Sequence, residues 1–593
     1  MLSKINSPQD IKDLSLVELE VLASQIRRYL IETLEKTGGH LSSNLGTVEL
    51  TLAIHKVFDA PNDRIVWDVG HQTYTHKILT GRRDQLDSIR QFGGISGFLK
   101  CHESDYDCFG AGHATTSLSA LLGFIIADKA QGRDNYHVAV IGDGALSGGM
   151  AFEAMNTMGA RNQRAMIILN DNEMSIGHNV GYLAKKLDHV RNSPGYVAAK
   201  NKYGPNMSQQ VKKTLSSFKK YLRRMVMPST LFEELGLRYY GPVDGHNLEE
   251  LIAAMEIIKD YHGPTVLHVL TKKGKGYGFA EKNPILYHGV GPFDASKEIV
   301  EGKKEDFSAV FGNKLVEMAK KDSRVFAITA AMTQGTGLEK FSRTFPNRLI
   351  DVGIAEETAV TMAASMALGG LKPYLAIYST FLQRGFDQLI HDMALHQAPM
   401  VLCIDRSGIV GADGETHQGI YDTSFLSIVP GINLWAPMDK VELEAMLEES
   451  LSFDKPLAIK YPRGNCPLLT KELGNIRENL LYSKGARTLV VSYGTMMEEL
   501  LGLYEEEEFD LYNHRIILPL DLKKLGEVFS AYERVIVIEE NIYTGSLAEK
   551  LAGHFDIVPL TLDDGFLEQG SREELRKSQG LDREALRRFI KEG

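Results

Sequence analysis

Cysteine is scarce in this chain: Cys101, Cys108, Cys403 and Cys466 are all there is in 593 residues. Four are too few to staple a chain of this size, which excludes a disulfide framework and makes a reducing compartment, the cytoplasm, the expected home. Long apolar runs are missing as well. No stretch approaches the roughly 20 apolar residues that a membrane-crossing helix needs, so no membrane association is expected. The first 14 residues are polar and mixed in charge, without the apolar core of a secretory signal. Positive charge is in deficit, with 66 Lys and Arg against 77 Asp and Glu, a net charge of −11. A nucleic-acid scaffold would carry a basic excess on one face, so no nucleic-acid partner is expected. The deficit does not exclude phosphorylated small molecules, because a local pocket can be basic on an acidic protein. The acidic run 505–508 reads as a solvated loop or a helix end. There is no short repeat and no low-complexity tract.

What is present is ordinary globular material, 43% hydrophobic and 24% charged. At about 150 residues per domain the length suggests three or four domains. Ser15-Leu16-Val17-Glu18 reads as a capping box, and Leu19, Leu22, Ile26, Leu30 and Leu34 follow at helical spacing until Gly38-Gly39. An apolar strand at 137–141, a turn at Gly142-Asp143-Gly144, a helix at 151–159 and a strand at 165–169 form a βαβ unit, which implies a parallel sheet. A further strand is expected at 265–271. A second α/β series opens near Phe307, with strands at 325–329, 374–377, 401–405 and 457–461. A third has strands at 488–492 and 535–539. The charged, aperiodic stretch 294–305 reads as one boundary and 464–484 as a linker. The expectation is an α/β protein of three consecutive domains with mainly parallel sheets, 1–305, 306–470 and 480–593.

Chemistry enters at Gly142-Asp143-Gly144-Ala145. A glycine turn after a strand lets backbone N–H groups approach a diphosphate closely. Such turns are common, and this one gains weight from Leu169-Asn170-Asp171-Asn172 at the end of the next strand. Asp143 and Asn172 then stand at the carboxyl ends of neighbouring parallel strands, the edge where open α/β sheets bind ligands. A carboxylate and an amide oxygen are hard ligands suited to Mg2+. A Gly-Asp-Gly followed at a distance by Asn resembles the signature of thiamine-diphosphate enzymes, in which a backbone carbonyl two residues beyond the Asn, here Met174, completes the metal set.

The resemblance narrows with Gly38-Gly39-His40-Leu41-Ser42-Ser43-Asn44-Leu45-Gly46, then Trp67-Asp68-Val69-Gly70-His71-Gln72, Gly112-His113 with Thr116-Ser117, and Gly241-Pro242-Val243-Asp244-Gly245-His246. Thr271-Lys272-Lys273-Gly274 follows, with Tyr277 and His288. Further on come Ile354-Ala355-Glu356, Tyr378-Ser379-Thr380-Phe381-Leu382-Gln383-Arg384 and Asp405-Arg406. The stretches 408–414, 416–419 and 461–465 complete the set. Long, ordered and spread over about residues 10 to 580, these motifs resemble the 1-deoxyxylulose-5-phosphate synthase family. There are departures. Glu357-Thr358-Ala359 stands where many relatives carry Gln-His-Ala, the stretch 541–546 holds one glycine where a denser turn is common, and the third unit is short.

The resemblance implies a transketolase-type transferase that uses thiamine diphosphate and Mg2+. It would join pyruvate to D-glyceraldehyde 3-phosphate with loss of CO2, through an ylid and an enamine, and supply isoprenoid, thiamine and pyridoxal precursors. It also implies a homodimer, with each active site formed by the first and second units of one chain. Glu356 would hydrogen-bond the aminopyrimidine and drive its imino form; the plainer reading is a helix N-terminal Glu favoured by the dipole. Phe381 would stack on the pyrimidine, where the alternative is a core aromatic. His71, Gly112, His113, Ala114, Gly144, Ala145, Asn172 and Tyr277 would contact the cofactor, and Asp143, Asn172 and Met174 the metal. His40 would move a proton on the acceptor side, with His288 and His417 positioning substrate or relaying protons. Asp413 would orient His417 or meet a substrate hydroxyl, and Tyr378 would line the substrate site. Arg406 and Arg463, each after a strand, suit the acceptor's phosphate because a guanidinium fork donates two parallel hydrogen bonds. Their alternative is pairing with Asp405 or Asp413. Cys101, His102, Cys108 and His113 match no familiar zinc spacing. A transketolase acting on a ketose phosphate, or a silent thiamine-diphosphate-binding scaffold, are the competing readings.

Overall fold

The computed structural model describes residues 1–172, 231–299 and 305–592. The chain divides into two compact units, Met1–Glu301 and Gly302–Gly593.

In the first unit the opening helix is Leu16–Thr37, with both halves of the Ser15/Glu18 capping box made and Gly38 leaving it at φ 71°. Its predicted stripe, Leu19 to Leu34, is buried. Five strands follow: β1 (Arg64–Trp67), β2 (His137–Gly142), β3 (Ala165–Asp171), β4 (Arg238–Asp244) and β5 (Pro264–Leu270). They align in the order β1-β2-β3-β5-β4, every pair parallel. β2 and β3 are buried on both faces, as their unbroken apolar runs demand. Helix Gly149–Arg161 makes the crossover between them. Where the sequence suggests a turn at Asp143, the chain instead enters a single helical turn, Asp143–Leu146. Strand β4 escapes the apolar pattern because it contains Gly241-Pro242. The pairing with β5 shifts register between Tyr240 and Val243, which accommodates a residue that has no N–H to donate.

The second unit holds two sheets. The first has seven strands: β6 (Val325–Thr329), β7 (Leu349–Asp351), β8 (Lys372–Tyr378), β9 (Val401–Asp405), β10 (Asn433–Trp435), β11 (Leu457–Lys460) and one from further along the chain. The second has five: β12 (Leu480–Tyr482), β13 (Thr488–Ser492), β14 (Asp510–Asn513), β16 (Arg534–Ile542) and β17 (Val558–Leu562). The strand between them, β15 (Ile516–Leu518), leaves its own segment and pairs antiparallel with β10. The stretch read as a linker is fastened rather than loose. β12 lies inside it and pairs with β14. Arg515, fully buried, donates to the carbonyls of Leu473, Asn475 and Glu478 while meeting the Glu442 carboxylate at 2.8 Å. Ile328, Leu375 and Ile377 of one sheet share a core with Leu489, Val491 and Val537 of the other. Three sheets therefore fold as two units. The acidic run ends helix Met496–Glu506, where Glu506 pairs with Arg583 and Arg587, and Glu507 with Lys591. Among the described residues no helix is long and apolar enough to cross a membrane.

Candidate active site

In the first unit three histidines from distant motifs meet. His40 precedes the short helix Leu41–Gly46, His71 lies in the turn after β1, and His288 follows the segment anchored at Tyr287. Their ring centroids are 5.6 Å apart for His40 and His71, 5.8 Å for His40 and His288, and 5.2 Å for His71 and His288. Asn44 ties two of them together, its amide donating to the carbonyls of His40 (2.6 Å) and His71 (2.8 Å). The Tyr74 hydroxyl lies 3.3 Å from His40 Nδ1, Ser43 Oγ lies 3.3 Å from His288 Nδ1, and Phe98 packs edge-on against His40. The turn Gly112–Thr116 is held by Asp68, whose two oxygens accept from the backbone of Thr115 (2.8 Å) and Ser117 (3.1 Å). This places Gly112, His113 and Ala114 beside the end of β1. Gly70 has no room for a side chain, since a Cβ there would lie 2.6 Å from Ala111 Cβ.

Asp143 follows β2 and Asn172 follows β3, and the register pairs Gly142 with Asn170, so the two stand at adjacent carboxyl ends as expected. Asp143 is buried, its Oδ1 accepting from the Gly144 N–H at 3.0 Å, and Gly144 and Ala145 are buried with it. Beside it is Lys273, also buried. Desolvation pulls its ammonium down to about 8, against the opposing pull of Asp143. The segment below is braced by Asp171–His268 (2.8 Å) and Asn170–Thr271 (2.6 Å). Met174 lies outside the described residues. Tyr277 sits half-buried among Phe279, Tyr287 and Phe293, its hydroxyl donating to the Ala295 carbonyl at 3.0 Å.

In the second unit Glu356 opens helix Glu356–Leu368 at 4% exposure, and its Oε2 has no hydrogen-bond partner among the described residues. Burial pushes its carboxyl up to about 7, with Arg384 the main opposing charge. The Phe381 ring stacks on Tyr378 (5.8 Å, 17°) and meets His417 edge-on (5.6 Å). Thr380 Oγ1 donates to the Thr416 carbonyl at 2.8 Å, and Thr416 Oγ1 lies 2.8 Å from His417 Nδ1. Arg406 follows β9 at φ 58°, with its guanidinium carbon 3.7 Å from the centre of the Tyr378 ring. It also donates to the Gly335 carbonyl (3.4 Å) and lies 3.8 Å from Asp405. Arg463, Asp413, Arg406 and Asp405 all act on the Tyr378 hydroxyl, which burial lifts to about 12. Arg463 is exposed, and Asp413 and His417 are half-buried.

Each unit thus gathers its share of the expected residues. Motif reading assigned nothing to Tyr74, Lys273, Asp68 or Arg384, although the last three lie inside the quoted motifs. Only burial and approach in space single them out.

Similarity to known proteins falls in three consecutive segments. Residues 2–271 match the family model described as 1-deoxy-D-xylulose-5-phosphate synthase. Residues 303–467 match the transketolase pyrimidine binding domain, and 479–586 the transketolase C-terminal domain. Among curated relatives, a 1-deoxy-D-xylulose-5-phosphate synthase of Clostridium perfringens (strain 13 / Type A) is 45% identical over 100% of this chain and 99% of its own. One of Azoarcus sp. (strain BH72) is 46% identical over 99% of this chain and 97% of its own. One of Caldanaerobacter subterraneus subsp. tengcongensis is 44% identical over 99% and 98%. Of solved structures, transketolase from Campylobacter jejuni aligns over 98% of this chain and 100% of that one, at 19% identity and a TM-score of 0.43. At 44–46% identity over essentially the whole length, the chain belongs to the 1-deoxy-D-xylulose-5-phosphate synthase family.

Proposed function

We propose that this chain condenses pyruvate with D-glyceraldehyde 3-phosphate, releasing CO2 and forming 1-deoxy-D-xylulose 5-phosphate, with thiamine diphosphate and Mg2+. The observation that carries the reading is Glu356. A carboxyl with an unpartnered oxygen, desolvated until it titrates near neutrality, is costly unless a ligand completes it. Glu356 Oε2 would meet an aminopyrimidine nitrogen, and the flat Phe381 ring would give the pyrimidine a stacking surface. On the first unit, Asp143 and Asn172 offer hard oxygen ligands at one sheet edge. The buried Gly144-Ala145 turn offers a close backbone approach, and Lys273 offers positive charge for a diphosphate. The residues present fit the group.

When bound, thiamine diphosphate supplies the electron sink that lets pyruvate lose CO2. The chain's own work is orientation and proton movement. Glu356 holds a proton at Oε2 for the pyrimidine. His71, Gly112, His113, Ala114 and Tyr277 are proposed as cofactor contacts, with Met174 completing the metal set. His40, braced by Tyr74 and Asn44, moves the proton at the acceptor's carbonyl oxygen, with His288 and His417 as relays. Asp413, Tyr378, Arg406 and Arg463 shape the acceptor site. The proposed domains are 1–305, 306–470 and 480–593, and the proposed assembly a cytoplasmic homodimer. In Glu356→Ala the cofactor should still bind while exchange of its C2 proton, followed by NMR, is suppressed. Exchange at the wild-type rate would sink the assignment of Glu356.

A further inference from the structure

The loop that carries Arg406, Asp413 and His417 is fastened along its length to a segment near the end of the chain, 565–572. Reciprocal bonds between Gly408 and Gly419 (2.9 and 2.8 Å) close the loop's neck. Inside it Gln418, 1% exposed, acts as a clip. Its Oε1 accepts from the N–H of Val410 (2.7 Å) and Gly411 (3.3 Å), and its Nε2 donates to the carbonyls of Glu568 (3.2 Å) and Leu567 (3.5 Å). Three glycines at positive φ lie against the partner surface. A Cβ on Gly411 would lie 2.9 Å from the Gly570 carbonyl, one on Gly414 would lie 3.3 Å from Gln569, and one on Gly408 would lie 2.7 Å from Glu540 Oε2. The Tyr421 hydroxyl donates to the Gly565 carbonyl at 2.6 Å. Glu540 is buried and held by Arg576 and by Arg572 Nη2 at 2.9 Å; the same nitrogen donates to Thr495 Oγ1 at 2.7 Å.

A loop with three left-handed glycines has many backbone conformers of its own. What selects one is the surface it lies on. On its other side the loop meets the short helical turn Ser379–Leu382 through Thr380 and the Thr416 carbonyl, and His417 meets Phe381. The segment 565–572 therefore sets where Asp413 and His417 stand relative to Phe381 and Tyr378.

We infer that Gln418, Glu540 and Arg572 are positioning residues for the acceptor aldehyde, through which the C-terminal sheet holds the Asp413–His417 loop in register. The inference rests on the proposal that this loop faces the acceptor. A group that orients acceptor contacts without touching the cofactor should change KM for the acceptor more than kcat.

The test is steady-state kinetics of the full chain with three variants. Arg572→Ala leaves Glu540 its Arg576 partner, so the fold is kept. KM for D-glyceraldehyde 3-phosphate should rise about tenfold, while kcat and thiamine-diphosphate affinity stay within about twofold of wild type. Arg572→Lys should recover most of the loss. Gln418→Glu keeps the acceptor for Val410 and Gly411 but sets a carboxylate oxygen against the three carbonyls that Nε2 faces, those of Gly411, Leu567 and Glu568, and should raise the same KM. Wild-type KM in both Arg572→Ala and Gln418→Glu would overturn the inference. So would losses that fall on kcat alone or that track a drop in thermal midpoint. A wild-type chain that forms no product would instead overturn the proposed reaction, and this inference with it.

Discussion

Glu356 is, with Lys273, among the strongly perturbed groups of the proposed site. Its carboxyl is pushed up to about 7 by burial, so between about pH 4.5 and 7 the folded chain binds a proton that the unfolded chain has released. The stabilising contribution is therefore full below about pH 4.5 and is lost as pH rises through about 7, a difference on the order of 3 kcal/mol. In cofactor-free protein, Glu356→Gln should match wild type in denaturant stability near pH 4.5 and exceed it at pH 8. A gap that does not change with pH would show that the carboxyl is solvated. Asp143→Ala removes the proposed anionic metal ligand and the charge that opposes Lys273. Magnesium-dependent thiamine-diphosphate binding should be lost by isothermal titration, and unchanged affinity would contradict the metal assignment. At this scale the candidate residues were legible in the sequence and their environments were not. Ile354-Ala355-Glu356 marks the glutamate, but its lost solvent comes from packing. Lys273 stands in a quoted motif, yet its closeness to Asp143 depends on β2 and β5 lying on either side of β3 in the sheet.

Among the elements, the two arginines after β9 and β11 stand in different surroundings. Arg406 lies over Tyr378 and donates to Gly335, so its proposed task is to hold the Tyr378 ring, whereas Arg463 is exposed. A charged hydrogen bond to phosphate is worth about 2 kcal/mol, so Arg463→Ala should cost roughly thirtyfold in kcat/KM with D-glyceraldehyde 3-phosphate and much less with glyceraldehyde. Arg406→Ala should lose a similar factor with both aldehydes. Equal losses with both in Arg463→Ala would place the phosphate elsewhere. Elements were legible where burial is two-sided: β6, β9 and β13 fall at the predicted residues because their apolar runs are unbroken. β7, β10, β12 and β15 have three residues each, too few for a period of two to show, and β4 is masked by its Gly-Pro.

For the molecule as a whole, β15 and the shared core make the second and third sheets interdependent. Residues 302–470 alone would lose the strand that pairs with β10 and the Arg515 guanidinium that meets the buried Glu442 carboxylate, whereas 302–593 keeps both. The shorter fragment should bind a hydrophobic dye and lack a cooperative thermal transition, and the longer should unfold cooperatively. Cooperative melting of the short fragment would show that its core is self-sufficient. Sequence periodicity revealed three α/β series but not this union, because the pairing of β15 with β10 spans about eighty residues and leaves no local pattern. The reaction itself is tested most directly by supplying the purified chain, thiamine diphosphate and Mg2+ with carboxyl-labelled pyruvate and D-glyceraldehyde 3-phosphate. Labelled CO2 and 1-deoxy-D-xylulose 5-phosphate should appear in equal amounts. Ketol transfer from a ketose phosphate without CO2 release would contradict it.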